Sequence, residues 1–199
     1  SWPSAELCAW PYLLDSANTF GRTVVHLDPA AGSDANTAYD IANVATSAAN
    51  PVATWNRAVD AIAAFNNTTY SRNNVDAGII YLKSGNQTVG GDSSPPASTK
   101  CFLTVTPASG VSAASAPFVS FASAGRYLPK LVRFEGCSFV PSSAANQLMH
   151  FGLTTSDLFV WQNCTFQGFS RTSNTSFVSG ASGAHMFLGC TMVDYYEGM

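Results

Sequence analysis

The chain has 199 residues, enough for one domain with its own core. Hydrophobic residues make up 46% and charged residues only 11%, against roughly 25% charged in an ordinary soluble domain, so Ser, Thr, Asn, Gly and Ala must cover the surface. The formal net charge of −3 leaves no polybasic footprint for nucleic acid, and no apolar run approaches the ~18 residues of a membrane span.

Residues 1–22 stand apart as a docking segment. Trp2, Trp10, Tyr12, Leu13 and Leu14 are too apolar for a free tail, and they pack either on the body of the chain or on a neighbouring subunit. The body runs from 23 to 199. Thr23-Val-Val-His-Leu-Asp28 reads as a strand, and Pro29 to Asn36 as a turn-rich break. Thr54 reads as an N-cap for an amphipathic helix over Trp55 to Phe65, with Trp55, Val59, Ile62 and Ala63 on one face and Asn66-Asn67 ending it. Ala77 to Leu82, Cys101 to Val105 and Phe118 to Phe121 are further strands.

From residue 118 the chain repeats itself. Val132-Arg-Phe-Glu-Gly-Cys-Ser-Phe139, Phe159-Val-Trp-Gln-Asn-Cys-Thr-Phe166 and His185-Met-Phe-Leu-Gly-Cys-Thr-Met192 align, with the cysteines 27 and 26 residues apart. A second set, Phe118–Ala122, Leu148–Gly152 and Phe177–Ala181, recurs at 30 and 29 residues. A period of this size built from short strands predicts stacked coils. Gly136, Asn163 and Gly189 precede the cysteines, and these residue types enter the left-handed backbone region at least cost, as a tight bend requires. Cys137, Cys164 and Cys190 then face inward as small apolar side chains, with Phe139 also inward and Ser138 outward.

The five cysteines, the other two being Cys8 and Cys101, form no CxxC pair and have no histidine at ligand spacing, so no metal or other cofactor is expected. The odd number argues against a complete disulfide framework. Sequons begin at Asn66, Asn67, Asn86, Asn163 and Asn174, and in a chain rich in Asn and Thr they arise by chance. The absence of an initiator Met and the stop inside a repeat give the expectation of a piece of a longer chain.

These features resemble the pectate-lyase-like superfamily of right-handed parallel β-helices, which includes bacteriophage tailspikes and secreted polysaccharide-processing proteins. The resemblance extends to the strand Val25-His-Leu-Asp28, the Gly32-Ser-Asp34 turn, the Pro51-Val-Ala-Thr54 helix start and the strand Ile79 to Gly85. It implies an all-β single-stranded solenoid of three parallel sheets with an N-terminal capping helix. It also implies an extracellular or virion-surface location, a polysaccharide or surface glycan as partner, and a homotrimer or contact with other virion or surface subunits.

Catalytic residues are not identifiable. The superfamily's acidic calcium cluster, catalytic Arg and Gly-His-Gly turn have no counterpart here. Glu135 aligns with Gln162 and Leu188, so it lacks the second carboxyl that glycoside hydrolysis uses. The candidate carbohydrate-facing residues are His150, in register with Ser120 and Ser179, together with Arg126 and Tyr127, Asp157, Asp194 and Tyr195. Tyr196 is a further aromatic that a sugar ring can stack on. Asp28, Asp34 and Asn36 suit Asx turns better than a metal site. The expected function is therefore a surface module that engages polysaccharide, with glycoside hydrolase or lyase chemistry left open. The alternative is a non-catalytic structural module of a spike or adhesin.

Overall fold

The computed structural model describes residues 23–70, 75–89, 100–121, 131–140, 158–167 and 184–193. Twelve strands form two sheets. The larger contains β1 (Thr23–Leu27), β2 (Tyr39–Asp40), β3 (Val75–Leu82), β5 (Lys100–Pro107), β7 (Leu131–Glu135), β9 (Leu158–Gln162) and β11 (Ala184–Leu188), in the order β11-β9-β7-β5-β3-β1-β2. The smaller contains β4 (Gln87–Val89), β6 (Phe118–Phe121), β8 (Ser138–Phe139), β10 (Thr165–Gln167) and β12 (Thr191–Val193), ordered β12-β10-β8-β6-β4. Every pairing is parallel except that of β1 with β2. Two helices, α1 (Val44–Ala49) and α2 (Trp55–Tyr70), pack against β1.

The expectation of a three-sheet, all-β parallel β-helix is corrected by this architecture. The described residues form a mixed α/β fold of two predominantly parallel sheets and two helices, and a closed solenoid is not shown. The physical reason lies in what the repeat encodes. Each period supplies two strands around one bend, which two parallel sheets satisfy, and neither a third sheet nor closure follows from it. The second repeat is also corrected at its first member. Phe118 pairs with Phe139, which places β6 in the ladder of the cysteine-following strands. Its expected partners at 148–152 and 177–181, like the docking segment 1–22, lie outside the described residues.

The cysteine register is as expected. Glu135 pairs with Gln162, and Gln162 with Leu188. Gly136, Asn163 and Gly189 turn the chain from the larger sheet into the smaller with φ of 62°, 52° and 62°. Cys137 and Cys164 are buried and Cys190 half-buried. Ser138, expected outside, is buried as well.

The core is aliphatic around α2, β1 and β3 and carries a cluster of aromatic rings between the two sheets from β6 to β10. On the larger sheet Phe134 stacks on Trp161 with ring centroids 4.8 Å apart. On the smaller, Phe139 lies between Phe118 at 5.1 Å and Phe166 at 5.0 Å. The two rows meet edge to face, as Phe134 does with Phe139 at 5.4 Å. Such pairs add about 0.5–1.5 kcal/mol each beyond the area they bury. Trp55, the first residue of α2, closes the N-terminal end of this core, edge-on to Phe118 at 6.0 Å and stacked on Phe134 at 6.4 Å.

Helix α2 begins where expected and runs past the expected end. Thr54 Oγ1 accepts from Arg57 N, the N-cap contact. Trp55, Val59 and Ile62 are buried, joined by Ala58 and Ala61, while Ala63 is only partly covered. Asn66 does not stop the helix because its side chain is buried and accepts a hydrogen bond from Thr23 Oγ1. Helix α1, β2 and β4 were not expected. They are short, carry little periodic signal, and depend on what they pack against.

Candidate functional site

None of the expected sugar-facing residues can be placed. Arg126, Tyr127, His150, Asp157, Asp194 and Tyr195 all lie outside the described residues. The described part of the chain offers a different site, a pocket of about 320 Å³ where the end of β1, the start of α2 and β4 converge. That volume is at the small end of the range of about 300–1,000 Å³ for ligand sites.

The turns around this pocket are set by local hydrogen bonds. Asp28 Oδ1 accepts from the backbone N–H groups of Ala30 and Ala31, an Asx turn as expected. Gly32 follows because its backbone presses on Val52, whose carbonyl oxygen would lie 2.2 Å from any Cβ there. Asp34 reaches across to the helix start. Its Oδ1 accepts from Ala53 N and Thr54 N at 3.0 Å each, and its Oδ2 from Thr54 Oγ1 at 2.8 Å. Asn36 Nδ2 donates to Pro51 O at 2.7 Å. These three polar residues thus hold backbone.

Leu27, Pro29, Ala53 and Trp55 give the pocket apolar wall, and Asn56, Asn86, Gln87 and Thr88 give it polar wall. No lining residue is charged. The Asp34 carboxylate already occupies the positive end of α2, so the helix start offers little to an anion.

Gln87 is the central polar group. It faces inward on β4 and is fully buried. Its Nε2 donates to Lys83 O and Gly85 O, both at 2.9 Å, which fixes the amide plane. Its Oε1 has no hydrogen-bond partner, and neither does the buried Oδ1 of Asn56. A buried acceptor left unpaired costs about 1–3 kcal/mol. Both residues line the pocket, although the two oxygens are themselves shielded from solvent. Sequence reasoning missed this pair because Asn86-Gln87-Thr88 registered only as a chance sequon. The available signal was a glutamine alternating inward with Val89 after a turn at Gly85.

Two other polar groups, His26 with Ser47 and Glu135 with Arg133, do not form sites. His26 Nδ1 lies 2.9 Å from Ser47 Oγ, with the imidazole stacked on Tyr81. Burial, and secondarily the Lys83 ammonium, lower its pKa from 6.5 to about 4. This has the form of a base and hydroxyl pair, but Ser47, on the inner face of α1, is fully buried, so no substrate reaches its oxygen. Glu135 forms an ion pair with Arg133 at 2.9 Å and has no acidic neighbour in register, as expected. Among the described residues no cluster of three or more His, Cys, Asp or Glu is placed to hold a metal. No described helix is long and apolar enough to cross a membrane.

No family model matches the chain, and no similar protein was found among curated sequences or solved structures. With neither a matching family nor the three-sheet solenoid, the resemblance to pectate-lyase-like proteins is withdrawn. The tailspike, viral and secreted assignments lose their support with it.

Proposed function

We propose that this chain is a glycan-binding module, which takes a neutral, hydroxyl-rich unit of a polysaccharide or surface glycan into the pocket between α2 and β4. The observation that carries this reading is one uncharged pocket of about 320 Å³ that sets apolar wall from Leu27, Pro29 and Trp55 against polar wall from Asn56, Asn86, Gln87 and Thr88. Sugar hydroxyls match the amide and hydroxyl groups of the polar wall, and the apolar wall suits the C–H faces of a pyranose. The extracellular setting belongs to the same proposal, supported by a surface poor in charge and rich in Ser, Thr and Asn. No chemical step is included, because the pocket wall carries no carboxylate, imidazole or thiol.

The test is saturation-transfer NMR with a panel of neutral mono- and oligosaccharides, followed by calorimetry on those that bind. Binding that falls at least tenfold in both Asn56→Leu and Gln87→Met supports the reading. A panel in which nothing binds, or binding untouched by both substitutions, overturns it and leaves the structural-module alternative.

A further inference from the structure

The larger sheet has a second face, turned away from the core, and that face is covered. Arg133 lies between the core residues Val132 and Phe134, and Val160 between Phe159 and Trp161, so strand alternation points both of them outward. Thr104, Ile79 and Val24 continue the same row in register across β5, β3 and β1. Val24, Ile79 and Val160 lie outside the core cluster, as that direction requires. Yet from Val24 to Val160 the five residues are only 0%, 8%, 5%, 8% and 7% exposed. A solvated sheet face leaves such side chains in water.

The described helices account for part of this cover. Helix α1 lies over the outward His26 of β1 through Ser47, and α2 packs from the core side, where Trp55 and Ile62 join the core. Among the described residues the helices pack mainly on β1 to β4, which leaves the cover over Thr104, Arg133 and Val160 to another part of the chain. Residues 90–99, 122–130, 141–157 and 168–183 each return the chain from a smaller-sheet strand to the next larger-sheet strand, so both of their ends are tied. Residues 1–22 are tied only at Thr23, next to Val24, the first member of the row. They carry Trp2, Trp10, Tyr12, Leu13 and Leu14 against three charges, Glu6, Asp15 and Arg22. The row from β1 to β9 spans four inter-strand steps of about 4.8 Å, roughly 19 Å, and 22 residues reach that far even at the about 1.5 Å per residue of a helix.

We propose that the outer face of the larger sheet, along the row from Val24 to Val160, is the docking surface of the chain's own residues 1–22. The apolar side chains of the segment shield the valines, the isoleucine and the aliphatic stem of Arg133, whose guanidinium reaches out to Glu135 at 2.9 Å. The segment thereby turns a one-sided sheet into one covered on both faces, as parallel sheets require.

The experiment is nuclear Overhauser spectroscopy on the full chain with labelled isoleucine and valine methyl groups. The expected result is contacts from the Ile79 and Val160 methyls to ring protons of Trp2, Trp10 or Tyr12. Contacts from these methyls only to residues 90–99, 122–130, 141–157 or 168–183 overturn the proposal. So do contacts that appear only between labelled and unlabelled chains in a mixed sample, which would make a second copy the occupant. Limited trypsin digestion supplies a second readout at Arg22, the last residue of the segment. Val160→Glu, which sets a charge into the row, should speed cleavage after Arg22 at least tenfold, whereas Ser84→Glu, at an exposed position off the row, should leave it unchanged. An unchanged rate in a folded Val160→Glu protein overturns the proposal, and if that variant fails to fold the methyl contacts of the parent chain decide.

Discussion

Asn163 Oδ1 sits 2.6 Å from where a Cβ on Gly189 would be, so the side chain at one bend occupies the space that glycine leaves at the next. Both residues are left-handed, at φ 52° and 62°, and Asn163 N donates to Leu188 O at 2.8 Å. Gly136 has the same φ as Gly189 but open space around its missing side chain.

The two glycines should therefore respond differently to alanine. Gly136→Ala bears only the backbone cost, about 1–2 kcal/mol. Gly189→Ala bears that cost and must also push Asn163 aside, so it should be the more destabilising. In an Asn163→Gly background the difference should vanish. Urea unfolding of the four proteins gives the comparison directly, and an unchanged difference in that background would remove the steric account.

Stability should fall on acidification, and His26 sets the window. Its folded pKa is lowered to about 4 from 6.5, so between those values the unfolded chain binds the proton that the folded chain refuses. The contribution is fully present above pH 6.5 and is lost as pH falls toward about 4. The drop amounts to about 3 kcal/mol at 1.36 kcal/mol per pH unit. The unfolding midpoint of His26→Gln should be much flatter with pH over this range. A parent-like slope in that variant would assign the acid sensitivity elsewhere.

Trp161 should be the most costly of the core aromatics to truncate. It stacks on Phe134 at 4.8 Å, meets Phe139 edge-on at 5.3 Å and contacts Phe166 at 5.8 Å, so it joins both sheets. Trp161→Ala should cost about 3–5 kcal/mol, measured by chemical denaturation. Trp161→Phe should recover most of that loss if stacking geometry matters. Equal losses in the two variants would show that a smaller ring restores neither the stacking nor the filled volume, and would overturn this account.

The two pocket substitutions should part company in stability even though both weaken saccharide binding. Asn56→Leu removes an acceptor that has no partner and should be close to neutral. Gln87→Met also removes two donors and leaves Lys83 O and Gly85 O unpaired, so it should cost about 1–2 kcal/mol. Thermal unfolding without ligand separates them. Equal melting points would show that the Gln87 amide does not hold the β4 turn.

What the sequence by itself determined is local and periodic. The alternation in Val132–Phe139, Phe159–Phe166 and His185–Met192 specifies strands, the Gly or Asn before each cysteine specifies the bend, and the spacing of Trp55, Val59 and Ile62 specifies a helix. Backbone sterics and one-residue alternation act within a few positions, so they can be read along the chain. The number of sheets, the partner of Phe118 and the presence of α1 were decided only in three dimensions. Pairing depends on which strand lies next in space, and a six-residue helix persists because it covers β1. The pocket is the clearest case. Asn56 and Gln87 are thirty-one positions apart and carry no shared pattern. Their side chains come to line one pocket because the fold sets the start of α2 beside β4.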